Sequence, residues 1–286
     1  MFKLLKLISF IVTFSISSLT HADNHGPSDV DPNQIADILE RSKARGKIIA
    51  CADPYGYPYA LQNGRPPGFD VEIMEKIATR NGMRLEMYWA DTASRGGLSR
   101  GLRRSILKGR CDVFMGVSES GDDDQLMGKL TFAKQPYLGM GYVLVTQGDA
   151  KKYKSLEELK KAGVKVGVPM STPIDDLLFT RKIPRELYLD NRRIMKGMAE
   201  GEINAALVWA TAVSVALREF PDLKFEMAEG YVPEKGQRWN LQYMVRRSDR
   251  NFSNFLDDNV KALLKDGTIK EIVEKYNVPF FKPFDS

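Results

Sequence analysis

Short unbroken apolar runs alternate with amphipathic stripes along this chain. Residues 47–52 (Lys-Ile-Ile-Ala-Cys-Ala) and 111–115 (Cys-Asp-Val-Phe-Met) read as strands covered on both faces, because a buried parallel strand needs a near-continuous apolar run. Between them Gly68-Phe69-Asp70 opens a helix with Asp70 as its cap. Val71, Met74, Ile77 and Ala78 fall on one face of it, and Asn81-Gly82 stops it. A helix over 31–45, a strand over 83–89 and a helix over 98–107 complete the first series, a βαβαβ order that predicts a parallel sheet.

A second series starts at Tyr142. Ser155-Leu-Glu-Glu158 is a capping box, 164–168 a strand, and Thr172-Pro173 the cap and first residue of a helix. A helix over 192–200 leads through Gly201 to a strand over 205–209. A strand over 241–245 then precedes two helices. Phe252, Phe255, Leu256, Val260, Leu263 and Leu264 form the stripe of the first, Asp266-Gly267 breaks it, and Thr268-Ile-Lys-Glu271 caps the second. The chain crosses between the two α/β units near 140–144 and near 241–244, and a double crossover makes a hinge. The expected architecture is α/β and two-lobed. One lobe spans 46–142 plus 243–286, the other spans 143–242, and a lead and helix over 23–45 come before them.

Residues 1–22 read as an export signal: Lys3 and Lys6, an apolar stretch too short for a membrane span, and Thr20-His21-Ala22 as a cleavage site. The expected location is the periplasm, without membrane insertion. Losing Lys3 and Lys6 lowers the formal charge from +5 to +3, with both signs interspersed, which gives nucleic acid no footprint. The two histidines, His21 and His25, both precede the folded body. That excludes Ser-His-Asp and Cys-His catalysis and imidazole-based zinc, so no cofactor or metal is expected. Cys51 late in one strand and Cys111 opening another stand about 10 Å apart, beyond disulfide reach, so two buried thiols are expected rather than a bridge.

In open α/β sheets ligands sit at the carboxyl ends of strands. The first strand ends in Asp53-Pro54-Tyr55-Gly56-Tyr57-Pro58-Tyr59, the next in Gly116-Val117-Ser118. Tyr55, Tyr57 and Tyr59 can stack on a ligand or cap the lobe's core. Asp53 can accept from a ligand or anchor its turn, and Gly116 and Ser118 offer backbone donors or a tight strand exit. Thr172 offers a helix N-terminus, or is a plain cap; Trp209 is a wall of the cleft or a core aromatic. Asp122, Asp123 and Asp124 read as a solvated acidic turn rather than a cation loop. The tail Pro279-Phe280-Phe281-Lys282-Pro283-Phe284 is too apolar for a free end; it packs under the first lobe or docks a partner.

Gly68-Phe69-Asp70-Val71, Gly109-x-Cys-Asp112, Gly116-Val117, Pro136-Tyr137, the stretch 156–168 and Asp266-Gly267-Thr268-Ile269 with Tyr276 resemble the family 3 periplasmic solute-binding proteins. The resemblance covers about 47–279 and implies a Venus-flytrap fold with a cleft between lobes. It also implies an arginine after the Gly116 strand for a ligand carboxylate, and an aspartate at the end of the 205–208 strand for an α-amino group. Here those places hold Asp123, in an acidic turn, and Trp209, which disfavours a simple amino acid. Ile48 to Pro54, Arg110-Cys111-Asp112-Val113, Val208-Trp209, Met244-Val245-Arg246 and Tyr276-Asn277-Val278-Pro279 look like the J-type accessory branch found with quinoprotein (methanol/alcohol) dehydrogenases. That branch carries Trp-Gly-Pro where this chain has Trp209-Ala210-Thr211. The expected function is a non-catalytic accessory of a quinoprotein dehydrogenase. The alternative is an importer receptor that takes a small polar ligand and partners an ABC permease. A dehydratase-like enzyme would need Glu119 or Asp53 as acid, and neither has a paired partner in the sequence pattern.

Overall fold

The computed structural model of the chain describes residues 37–118 and 128–285; the export-signal reading, Glu119 and the Asp122–Asp124 turn lie outside them. The first series folds as α1 (Ile38–Arg45), β1 (Lys47–Ala52), α2 (Phe69–Arg80), β2 (Arg84–Trp89), α3 (Gly97–Arg104), a 3-10 turn (Ile106–Lys108) and β3 (Val113–Ser118). β1 lies parallel between β2 and β3, with Ala50 opposite Val113 and Cys51 opposite Phe114. α2 buries Val71, Ile73, Met74, Ile77 and Ala78 against the sheet.

Two expectations fail here. Asp70 is not a cap: the helix starts at Phe69, and Gly68 holds the cap position at φ 119° with no side-chain bond. A Cβ on Gly68 would come within 2.3 Å of the Tyr59 carbonyl oxygen, so only glycine fits. Asp70 instead turns inward and accepts from the Tyr137 hydroxyl at 2.7 Å. Cys51 and Cys111 are bridged, with Cα atoms 5.8 Å apart. The larger separation assumed that Cys111 opens the strand, whereas β3 begins at Val113. Cys111 sits in the bend leaving the 3-10 turn and packs with Leu102, Ile106 and Phe114 on the sheet face where Cys51 points.

The second series gives α4 (Leu156–Lys161), β6 (Val166–Pro169), α5 (Pro173–Thr180), β7 (Arg185–Tyr188), α6 (Asn191–Ala199), β8 (Ala205–Trp209) and α7 (Ala210–Glu219), counting β4 (Leu130–Phe132) and β5 (Leu138–Thr146) before it. β6 lies parallel between β7 and β8. Ser155 and Thr172 cap α4 and α5 as their spacing predicts. β9 (Glu226–Met227), β10 (Arg238–Arg246), α8 (Arg250–Lys265) and α9 (Thr268–Lys275) close the chain. Thr268 is not a cap either: Gly267, at φ 84°, precedes the helix, and the Thr268 amide donates to Asp266.

One strand joins the two sheets. Residues 138–141 of β5 pair antiparallel with residues 241–238 of β10, and residues 142–146 pair antiparallel with residues 209–205 of β8. The strand order is therefore β2-β1-β3-β10-β5-β8-β6-β7, two lobes sharing one central strand. One buried apolar cluster runs from Ile48 and Met74 of the first lobe through Val143 and Tyr243 to Val208 and Val213 of the second. Leu144, Val168 and Leu178 belong to a separate cluster on the other face of the second lobe. Among the described residues no helix is long and apolar enough to cross a membrane.

Candidate functional site

The segment after β1 and the segment after β8 meet at a seam between the lobes. The Trp209 indole Nε1 donates to the Tyr59 hydroxyl at 3.0 Å. The Ser214 hydroxyl on α7 donates to the Tyr57 hydroxyl at 3.4 Å, and the Arg218 guanidinium lies 4.7 Å over the Tyr57 ring. Trp209 also packs edge-on against Tyr142 at 5.3 Å and tilted against Trp239 at 5.5 Å. Tyr59 leans on Phe69 at 5.0 Å. Strand geometry explains the meeting: Tyr142 lies directly opposite Trp209 in the β5–β8 ladder, so an aromatic from the shared strand meets one from the strand end.

Gly116 lines the same region from below. It holds φ 70°, and a Cβ there would lie 2.9 Å from the Asp70 carboxylate and 4.0 Å from the Tyr59 ring. Asp70 is a buried carboxyl placed here. Burial without a cationic partner pushes its pKa up to about 7, although the Tyr137 hydroxyl bond pulls the other way. Tyr137 stacks on Tyr243 with centroids 4.6 Å apart. Burial pushes the Tyr59 hydroxyl up to about 12, so it stays protonated and neutral.

The remaining sequence-derived residues fall elsewhere. Asp53 is spent on its own loop: Oδ1 accepts from the Tyr55 amide at 2.7 Å, and Oδ2 from the Thr92 amide at 2.7 Å and hydroxyl at 2.6 Å. Burial raises its pKa, but these bonds outweigh that and leave it below the ordinary value. Tyr55 points into solvent, 74% exposed. Ser118 ends β3 opposite Leu241. Thr172 caps α5, and Asp175 beside it accepts from the Ser171 amide at 2.9 Å and Arg185 Nε at 2.6 Å. A cavity of about 510 Å³ opens beside that helix start, lined by Thr172, Asp175, Phe179 and Arg185.

Of the proposed set, then, Tyr57, Gly116 and Trp209 converge, joined by Tyr59. Sequence reasoning missed Trp239, Tyr142, Arg218 and Asp70. One of these had a signal, Tyr142, an aromatic within the crossover expected near 140–144; Trp239 lies two residues before the one expected near 241–244, because β10 begins earlier, at Arg238. The seam can clasp a small flat or polar molecule by stacking and hydroxyl bonds. Among the described residues no cluster of His, Cys, Asp and Glu is arranged to hold a metal ion.

A family described as bacterial extracellular solute-binding proteins, family 3, matches residues 48–279. The chain is 25% identical over 223 residues to a probable amino-acid-binding protein, YxeM, of Bacillus subtilis, covering 77% of this chain and 80% of that one. It is 24% identical over 246 residues to a probable amino-acid ABC transporter-binding protein of Haemophilus influenzae, covering 84% and 86%. Its fold is similar to that of the L-cystine solute receptor of Neisseria gonorrhoeae in the unliganded open conformation (TM-score 0.68, 18% identity, 84% of this chain and 95% of that one).

Proposed function

This chain belongs to the bacterial extracellular solute-binding proteins, family 3, and we propose that it is a non-catalytic receptor that closes its lobes on a small polar solute and presents it to an ABC-type permease. The observation that carries this reading is the seam itself: the lobes approach closely enough for Trp209 to donate to Tyr59, and the walls there are largely aromatic, with the Arg218 cation over the Tyr57 ring. The lobes are taken as 46–142 plus 243–286 and 143–242. The compartment is taken as the periplasm, after cleavage near Ala22; the Cys51–Cys111 bridge fits an oxidising environment.

The relatives' names make amino acids the first solutes to test. Trp209, in place of a carboxylate, gives an α-ammonium no partner from the β8 end, so neutral polar solutes are expected to bind better. A thermal-shift screen decides this, since a ligand of the folded form raises the melting temperature. A neutral polar solute should raise it in the wild-type protein, and Trp209→Ala should weaken that solute at least about tenfold. Stabilisation by simple α-amino acids, undiminished in the Trp209→Ala protein, would overturn the solute class.

A second reading comes from the sequence resemblance, and the seam is compatible with it. The lobes meet through the protein's own side chains, so a closed body can serve as an accessory of a periplasmic quinoprotein dehydrogenase, the role implied by the motifs around Asp53, Cys111 and Trp209. Co-purification with the dehydrogenase, and lowered dehydrogenase activity in a strain lacking this protein, would select it. Unchanged activity and no capture would remove it.

A further inference from the structure

The family match ends at residue 279, and the chain continues through Phe280, Phe281, Lys282, Pro283 and Phe284. Those residues do not trail away. They return to the one rung at which both crossing strands can be gripped together. Gly139 of β5 stands opposite Asn240 of β10. The Gly139 amide donates to the Phe281 carbonyl at 3.0 Å in an antiparallel bridge. The Asn240 side chain does two things at once: Nδ2 donates to the Phe284 carbonyl at 2.9 Å, and Oδ1 accepts from the Phe284 amide at 2.8 Å. Two rungs further, the Arg238 guanidinium lies 4.5 Å over the Phe284 ring, which itself packs on Phe281 at 5.8 Å. Gly139 is bare because a Cβ would meet the Lys282 carbonyl oxygen at 2.6 Å and the Phe284 ring at 2.8 Å.

We propose that residues 280–285 are a strap that locks the hinge, tying both crossover strands to the first lobe and fixing how far the lobes swing. The first-lobe end is secured by Tyr276, whose hydroxyl accepts from the Gly68 amide at 2.9 Å and donates to Glu72 at 2.7 Å. The seam end follows from strand alternation. The residue between Arg238 and Asn240 faces the opposite side of the ladder. That residue is Trp239, which packs on Trp209. The strap therefore grips one face of β10 while the other face holds the aromatic pair at the mouth of the seam. No ligand takes part in these contacts, so they operate in the empty protein. Three hydrogen bonds and a cation–π contact fall on the first and third of three successive rungs, so losing them loosens those rungs before it loosens either lobe.

The inference rests on the reading of two lobes that open and close, but its test needs no solute and no partner. Amide hydrogen exchange is followed in the full protein, in a chain ending at Pro279, and in Phe284→Ala. The amides of 138–141 and 238–241 should exchange at least about tenfold faster in the shortened chain, and less so in Phe284→Ala. The amides of β1 and β6 should keep their wild-type rates. Small-angle scattering of the same proteins should show a larger radius of gyration for the shortened chain. Unchanged exchange at the crossing rungs would overturn the strap. So would a uniform loss of protection that reaches β1 and β6 in both variants, because the tail would then serve folding and not the hinge. Failure of every solute to bind would overturn the receptor reading and leave these exchange rates as expected.

Discussion

The two lobes are built on the same βαβ plan but fastened differently. The first lobe carries the disulfide between Cys51 and Cys111 and a buried carboxylate, Asp112, that accepts from Arg45, from the Ser42 hydroxyl and from the Ile49 amide. The second lobe has no cysteine. Among its described residues the ion pairs range from exposed ones, as in Arg181–Glu234 at 2.5 Å and Lys165–Glu186 at 2.9 Å, to the more sheltered Arg185–Asp175 at 2.6 Å, and it has an apolar cluster of its own. A covalent tie limits how far its two segments can separate, whereas exposed ion pairs add little. The first lobe is thus cross-linked, and the second is held by packing and side-chain pairs alone.

That contrast can be broken most forcefully at the disulfide. It closes a loop of 60 residues, and in the chain-entropy view removing it costs about 4 kcal/mol. Urea unfolding of Cys51→Ala/Cys111→Ala should show that loss; a loss below about 1 kcal/mol would put the two lobes on equal footing. Next comes Asp112→Ala, which strands the half-buried Arg45 and the Ile49 amide, with an expected cost of about 3 kcal/mol in the same assay.

Asp70 sharpens the contrast through pH. Its folded pKa of about 7 lies above the unfolded value near 4, so the folded chain holds a proton that the unfolded chain has released. The stabilisation is full below about pH 4 and is lost as pH rises through 7. Asp70→Asn keeps an acceptor for the Tyr137 hydroxyl. It should flatten the melting temperature across that window and raise it by several degrees at pH 8; a steeper profile would contradict the assignment. The smallest effect belongs to the second lobe. Arg181→Ala breaks a pair that is over a third exposed and should cost under about 1 kcal/mol.

Much of this framework can be read along the chain. Lys47–Ala52 and Ala205–Trp209 stand where their apolar runs place them, and the caps at Ser155 and Thr172 are local chemistry that needs no tertiary help. What escapes is set by contacts distant in sequence. β7 is half-buried at a sheet edge, so it carries no unbroken apolar run. α7 starts at Ala210 with no side-chain cap, directly after the last residue of β8, so no local signal marks where the strand stops and the helix begins. Asp70 looks like a cap because it follows glycine at a helix start, and only the Tyr137 hydroxyl explains why it is buried. Trp209 and Tyr59 lie 150 residues apart, and no local pattern joins them. The bridge at Cys111 was hidden by a two-residue error in where a strand begins.

The bare stretch of β5 has a consequence for how such a molecule can vary. Gly141 is hemmed in as tightly as Gly139: a Cβ there would meet Pro233 at 2.7 Å and the Gln237 carbonyl oxygen at 2.8 Å. A single methyl at either position would act as a shim, forcing aside the tail at Gly139 and the 233–237 turn at Gly141, one residue from the Tyr142 that meets Trp209.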